Sequence, residues 1–389
     1  MTASVATTMD HLLTPAAAEH HARLCELVGD SWRGDAAAWD RAGRLPAEVL
    51  RWCAEQGLLG APLPAEAGGG GWNMVRTGLL YEALGRVGAS LASLVNVHGM
   101  AAQTIARWGS EEQHRTVLPD LATGRRIAAI AMTEPGAGSD LAGMTTTLDA
   151  RDGGLVLNGT KVFITFGGQA DVFLVFAYAD GGDVACLVNR NTPGLTIEPM
   201  GDVLGLRAAC LARLEFRGCR VDPAALVGRP GFGLAVLAPH ALEHGRHAAA
   251  WMAAGMLHEV FAATARHALA RHAFGRALID HGQIQSIVTR MGTDLEAARH
   301  LCLAASEALD ARDPAAGDRV LAAKYFACRV LADHAEAGVQ VLASSGVLES
   351  SVTARTYRDA KVLNIIEGTT QVLERMLAPR LAASVGRDA

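Results

Sequence analysis

The apolar residues of this 389-residue chain recur at helical spacing, then at every second position, then at helical spacing again. A stretch patterned for one period cannot bury its apolar side in the other, so a sheet flanked by two helical regions is the arrangement this order demands. From Ala16 to about Gly124 the spacing is helical, as in LPAEVLRWCAEQGLL, where Leu45, Val49, Leu50, Trp52, Cys53 and Leu58 can share one side. PLPAEAGGGGW, Pro62 to Trp72, interrupts it, and its glycines and prolines predict a loop. Between about Ile127 and Leu226 the period is two. Asn158-Gly159 within LVLNGTKVFIT predicts a hairpin with a tight primed turn, and DVFLVFAY, DVACLV and GLTIEP predict further strands of a small antiparallel domain. After Pro239, helices are expected around Ala241 to Arg271, Gln283 to Leu309, Arg319 to Ser344 and Gly368 to Ala383. Short connections between them suggest a four-helix bundle. The expected fold is mainly α with a middle β domain: a helical domain over 1–126, an antiparallel β domain over 127–234 and a bundle over 235–389.

Composition narrows the function. Lys and Arg number 35 against 40 Asp and Glu, a net charge of −5 that offers nucleic acid or an anionic membrane no attraction. No run of about 18 apolar residues predicts a membrane span, and MTASVATTMDHLL lacks the basic segment of a secretory leader. Seven cysteines stand singly, without a CxxC pair, which speaks for a reducing compartment and against a disulfide framework or zinc ribbon. A cytoplasmic protein acting on a small molecule is the expectation.

Three stretches invite chemistry. AMTEPGAGSDLAG carries Gly136 and Gly138, but position 141 is Leu141, so the dinucleotide fingerprint fails. Such a loop can still present backbone N–H groups, with Thr133 and Ser139 adding hydroxyls; as a plain turn it would merely join helices to sheet. In NIIEGTTQ, Glu367 follows two isoleucines and precedes Gly368. Read alone, it is a carboxylate at a helix N-terminus. His240, His244 and His247 can share one helical face, yet no HExxH pattern accompanies them, so metal binding is not expected; beside Arg246, at least His244 reads as pocket lining. Trp251, Met252 and Met256 read as core.

Taken together, AMTEPGAGSD, KVFIT, RHAFG at Arg271 to Gly275, TYRDAK at Thr356 to Lys361, and IIEGTTQ resemble the acyl-CoA dehydrogenase flavoproteins, in the same order along nearly the whole chain. The resemblance implies FAD. It would place Met132 and Thr133 at the pyrimidine edge, Ser139 near the pyrophosphate or substrate, and Phe163, Ile164 and Thr165 against the isoalloxazine. Arg271 and Phe274 would reach the FAD of a neighbouring subunit, implying a homodimer or homotetramer. Gln340 to Ser344 would touch the adenosine half, and Thr369 to Gln371 the pyrophosphate side. Arg246 would lie near a bound thioester. Glu367 would be the catalytic base, its pKa raised by an apolar wall, with Gly368 allowing a close backbone approach and hydride leaving for flavin N5. Relatives that place the base beside the arginine have a side chain where this chain has Gly245.

The resemblance also has departures. Ala343-Ser344-Ser345-Gly346 replaces a Gly-Gly-x-Gly, Gly282 stands where a glutamine is usual, Ile366 replaces a frequent tyrosine and Glu374 a typical arginine. LASSG, YRDAK and IIEG are similar to a branch that oxidises short hydroxylated or branched acyl groups on an acyl carrier protein in polyketide extender-unit pathways. The implied substrate is therefore an acyl-CoA or acyl-carrier-protein thioester, with an electron-transfer flavoprotein as a possible partner. Oxidase or monooxygenase chemistry on the same fold, or a scaffold that has lost its flavin, are the rival readings. Arg355, Arg358 and Asp359 read as an ion-pair cluster near a subunit contact.

Overall fold

The computed structural model describes residues 13–151 and 153–385; positions 1–12, where the absence of a leader was read, lie outside the described residues. Helices come first: α1 (Pro15–Trp32), α2 (Ala36–Ala42), α3 (Ala47–Glu55), α4 (Met74–Val87), α5 (Ala89–Trp108), α6 (Glu111–Thr116) and α7 (Leu118–Ala122). Their starts are set locally. Thr14 accepts from the amide of Ala17, Asn73 from that of Arg76, and Ser110 with Gln113 forms a reciprocal capping box on α6.

Strands β1 (Ala128–Ala131), β2 (Thr147–Arg151), β3 (Gly154–Ile164), β4 (Val172–Ala179), β5 (Gly182–Asn189), β6 (Leu195–Pro199), β7 (Ala212–Val221) and β8 (Leu226–Val227) form one sheet in the order β6-β7-β3-β2-β4-β5-β8. It is largely antiparallel. Two pairings are parallel, however: β1 runs along the first half of one edge of β4, and β2 along the end of that edge at Thr147↔Tyr178 and Leu148↔Ala179. Because β1 and β2 share that edge end to end, residues 132–146 between them must leave the sheet, which projects the glycine-rich loop outward.

Asn158-Gly159 is not a turn. β3 passes straight through it, pairing with β2 and β7, and a bulge between Leu157 and Gly159 absorbs the glycine while Asn158 Oδ1 accepts from the amide of Gly218 at 2.7 Å. The reversal lies earlier, where Arg151 pairs with Gly154 and Gly153 has φ 75°.

The chain then returns to helix with α8 (Ala238–Ala270), crosses a short ribbon of β9 (His272–Ala273) and β10 (Arg276–Ala277), and continues with α9 (Gly282–Asp310), α10 (Ala316–Leu342), α11 (Val352–Leu363) and α12 (Thr370–Val385). Helix α11 was not expected. Its apolar period is broken by Arg355 and Asp359, both buried, whose partners lie within the chain: Asp359 accepts from the amide of Leu206 at 2.7 Å, and neighbouring Arg358 donates to Asp40 at 2.5 Å. That cluster ties α11 to α2 and the corner at Leu206.

The two helical regions share one core. Trp251, Met252 and Met256 of α8 are buried with Leu79, Leu80 and Leu84 of α4. The helices cross almost backbone to backbone, since a Cβ on Gly255 would sit 2.1 Å from the Glu82 carbonyl oxygen. Glu82 itself is fully buried, and although burial opposes ionisation, Arg299, His21 and Arg86 outweigh it and hold the carboxyl down at about 2. α5 lies between this core and the sheet, buried along most of its length.

Candidate active site

The sheet, α5, α8 and the corner between α11 and α12 enclose a cavity of about 780 Å³, a size suited to a cofactor or drug-sized molecule. Ten positions singled out from sequence line it: Met132, Thr133, Ser139, Phe163, Ile164, Thr165, Arg246, Glu367, Gly368 and Thr369. Val97, Met100, Leu242, Val362, Ile365, Ile366 and Val372 supply apolar wall.

The projecting loop is stapled from behind. Lys161, fully buried on β3, donates to the Met132 carbonyl at 2.9 Å and to Glu134 Oε1 at 2.8 Å. Burial alone would raise the Glu134 carboxyl, but hydrogen bonds from Lys161, Thr146 and Thr145 hold it down at about 2. The Lys161 ammonium is lowered by burial to about 8. A further bond, from the amide of Val162 to the Thr133 carbonyl, closes loop against strand at 2.9 Å. Just beyond, the register of β3 on β7 slips between Lys161 and Ile164, and Phe163, 58% exposed at the cavity wall, takes a left-handed φ of 57°.

The opposite wall is the corner after α11. Thr370 donates its amide to the Asn364 carbonyl at 3.1 Å, closing residues 364–370 into a compact turn with Glu367 near its apex at φ 56°. Two cations hold this turn by its carbonyls. Arg246 Nε donates to the Glu367 carbonyl at 3.1 Å and Lys324 Nζ to that of Gly368 at 2.7 Å. The carboxylate of Glu367 receives Asn96 Nδ2 at 3.4 Å and packs on bare backbone, for a Cβ on Gly245 would lie 2.3 Å from Oε2. Burial raises its pKa to about 7, partly opposed by Lys324, Arg246 and the Asn96 bond. At neutral pH it is therefore divided between a proton acceptor and an acid.

Donors without partners face the cavity. Among the described residues, the amides of Thr133, Gly138, Ser139 and Thr165 on one side, and of Glu367, Gly368 and Thr369 on the other, have no acceptor within the chain. The hydroxyls of Thr133, Ser139 and Thr165 are likewise unengaged. An apolar slot edged by free N–H and O–H groups fits a flat heterocycle with carbonyl and ring-nitrogen acceptors.

His244 corrects the sequence reading. It is buried and off the cavity wall, with Nε2 against Tyr81 Oη at 3.0 Å and Nδ1 against Gln103 Nε2 at 2.9 Å, and burial pushes its pKa down to about 3. A neutral ring with both nitrogens bonded has nothing left for a substrate. Gln340, Ser344 and Gln371 are exposed outside the cavity, as are Arg271 and Phe274, the latter 96% exposed with φ 51° on the β9–β10 ribbon. Asn96, Lys161, Glu134 and Lys324 were missed. A lysine on the inward side of a strand and a lone amide in the apolar run LASLVNVHGMAA were the available signals.

Comparison with known proteins decides the family. Residues 14–125, 129–219 and 231–382 match the N-terminal, middle and C-terminal domains of acyl-CoA dehydrogenase in turn. This chain belongs to the acyl-CoA dehydrogenase family. Mitochondrial isobutyryl-CoA dehydrogenase of Dictyostelium discoideum is 32% identical over 353 residues, covering 89% of this chain and 84% of that protein. FkbI, for biosynthesis of the methoxymalonyl extender unit of the Fk520 polyketide immunosuppressant, is 34% identical with a TM-score of 0.86, covering 94% of this chain and 99% of its own. Glutaryl-CoA dehydrogenase from Mycobacterium smegmatis in complex with FADH2 has a TM-score of 0.92 at 27% identity, covering 97% of each chain. This acyl-CoA dehydrogenase family member thus shares its complete three-part architecture with dehydrogenases of acyl thioesters.

Proposed function

We propose that this protein is an FAD-dependent dehydrogenase of acyl thioesters in which Glu367 removes the Cα proton. The observation that carries the reading is the raised carboxyl of Glu367 on one wall of a cavity whose other wall offers Phe163, Thr165 and the free amides of the 133–139 loop. FAD, when bound, supplies the two-electron acceptor for the hydride that leaves Cβ as the Cα–Cβ double bond forms. Thr133, Phe163, Ile164 and Thr165 would hold its ring, Met132 contributing backbone, with Ser139 near the pyrophosphate or the substrate. Gly368 and Thr369 would meet it across the cavity.

The chain's own work is proton transfer and charge stabilisation. A carboxylate desolvated to a pKa near 7 accepts a proton from carbon far better than one near 4, and the free amide of Glu367 can receive the developing negative charge on the thioester oxygen. Arg246 and Lys324 keep that turn rigid by holding its carbonyls. Ile365 and Ile366 add apolar surface to the cavity wall that carries Glu367. Arg271 and Phe274 are exposed away from this cavity and would reach the FAD of a second copy, which is the basis for proposing a homo-oligomer; Gln340 and Ser344 would touch the adenosine half of FAD, and Gln371 its pyrophosphate side.

Similarity to FkbI favours a second reading of the carrier, in which the acyl group is short and borne on an acyl carrier protein. Anaerobic titration of flavin-loaded protein with matched acyl-CoA and acyl-carrier-protein thioesters separates the two. Bleaching of the flavin bands by one carrier only assigns the carrier. Bleaching by neither, or undiminished bleaching in Glu367→Gln, refutes the proposed chemistry.

A further inference from the structure

Helix α5 carries an amide side chain, Asn96, in the middle of an apolar, almost wholly buried segment. Asn96 is 1% exposed, sits where the helix backbone needs nothing from it, and reaches Glu367 across 271 positions of sequence. Asparagine is a poor helix former, and burying it is unfavourable unless both ends of the amide are bonded. Only one end is. Nδ2 faces Glu367 Oε1 at 3.4 Å, while Oδ1 is buried without any partner.

We propose that Asn96 is a positioning residue for Glu367 that serves both protonation states: its nitrogen donates to the ionised carboxylate, and after a half-turn of the amide its oxygen accepts the O–H of the neutral acid. This rests on Glu367 being the group that takes up the proton. A carboxylate only accepts hydrogen bonds, whereas a carboxylic acid must also donate one. Carboxamide is the side chain that offers a donor and an acceptor on the same planar end, so a half-turn exchanges them without moving the helix. No other neutral side chain bonds the Glu367 carboxyl in this structure, among the described residues. The charged and titratable groups facing it come from other helices: Lys324 of α10, Arg246 of α8 and Tyr81 of α4. Lys324 and Arg246 spend their direct bonds on the backbone carbonyls of Gly368 and Glu367, and Tyr81 is held by His244. Asn96 alone discriminates the two forms by direct contact.

The test compares wild type, Asn96→Leu and Asn96→Asp, each loaded with FAD, by pH titration of the carboxyl C=O band in infrared spectra of 13C-Glu-labelled protein, with Glu367→Gln identifying the band. Asn96→Leu takes a bond from each form, and because the charge-assisted bond to the ionised carboxylate is the stronger, the titration of Glu367 shifts upward by about one pH unit, roughly a tenfold change in proton affinity. In kcat/KM for an acyl thioester, Asn96→Leu then loses about fivefold at pH 7 and recovers by pH 9, with KM little changed. Asn96→Asp preserves shape, so it reports even where the leucine variant does not fold: a second acid raises the Glu367 titration further and splits it into two coupled steps. An unshifted band in the variants overturns the positioning role. The infrared reading needs no turnover, so a shifted band in a protein that oxidises no thioester would sink the proposed function and leave Asn96 in place.

Discussion

Gly245→Ala puts helix stability and catalysis in opposition, which makes it a sharp test of the site geometry. Alanine is favoured over glycine inside a helix by up to about 1 kcal/mol, and Gly245 lies well within the 33-residue α8. The added methyl, however, would stand 2.3 Å from Oε2, 2.5 Å from Cδ and 2.9 Å from Oε1 of Glu367. Ordinary contact needs about 3.4 Å or more, so the carboxylate must retreat by roughly 1 Å. It is the far end of a side chain, so it can do so at little cost to the fold. A displacement of that size at a reacting group costs on the order of 100-fold in rate. The expected result is a melting temperature equal to or slightly above wild type, normal flavin loading, and kcat reduced about 100-fold in single-turnover reduction by an acyl thioester. A kcat within threefold of wild type would refute the placement of the base against α8.

Three further outcomes follow from the same contacts. Because the folded state binds the Glu367 proton more tightly than the unfolded chain, stability must fall as pH rises from about 4.5 through 7, by up to about 3 kcal/mol; Glu367→Gln should therefore match wild type near pH 4.5 and exceed it in thermal melts at pH 8. Lys161→Met leaves Glu134 buried without its cation, an imbalance of about 3–5 kcal/mol, and frees the 132–139 loop; a large loss of melting temperature with flavin affinity weakened tenfold or more is expected by calorimetry and fluorescence. Lys324→Met removes a positive charge that favours ionised Glu367, so the acid limb of kcat/KM should move to higher pH, and an unmoved limb would count against that electrostatic assignment.

The parts of this molecule that could be read from sequence are those written in local patterns. Helix and strand periods gave the three-part order, the glycines of 62–72 gave a loop, and an acid between two isoleucines and a glycine drew attention to Glu367. What escaped reading depends on partners far apart in the chain. Asn158-Gly159 has the composition of a turn, yet β3 continues because β2 and β7 hold it on both sides, a tertiary fact no window of ten residues contains. Helix α11 was hidden because Arg355 and Asp359 stand among its buried residues, Asp359 accepting from the amide of Leu206 and the neighbouring Arg358 pairing with Asp40. His244 looked like pocket lining beside Arg246, and only the positions of Tyr81 and Gln103 show both nitrogens already taken.

Of the nine non-glycine residues with positive φ among the described residues, four line the one cavity: Phe163, Asp202, Leu206 and Glu367. Phe163 and Glu367, a bulky aromatic and a long acid, both adopt left-handed backbone that costs roughly 1–2 kcal/mol apiece, and they stand on opposite walls of one cavity. Lys161 is a fully buried ammonium and Asn96 a buried amide with one end unbonded; the first anchors the loop on one wall, the second touches the carboxylate on the other. Each is unfavourable by itself and persists because the surrounding helices and sheet over-determine its position. Strain placed on two facing walls is what a fold holds in reserve for chemistry in the gap between them.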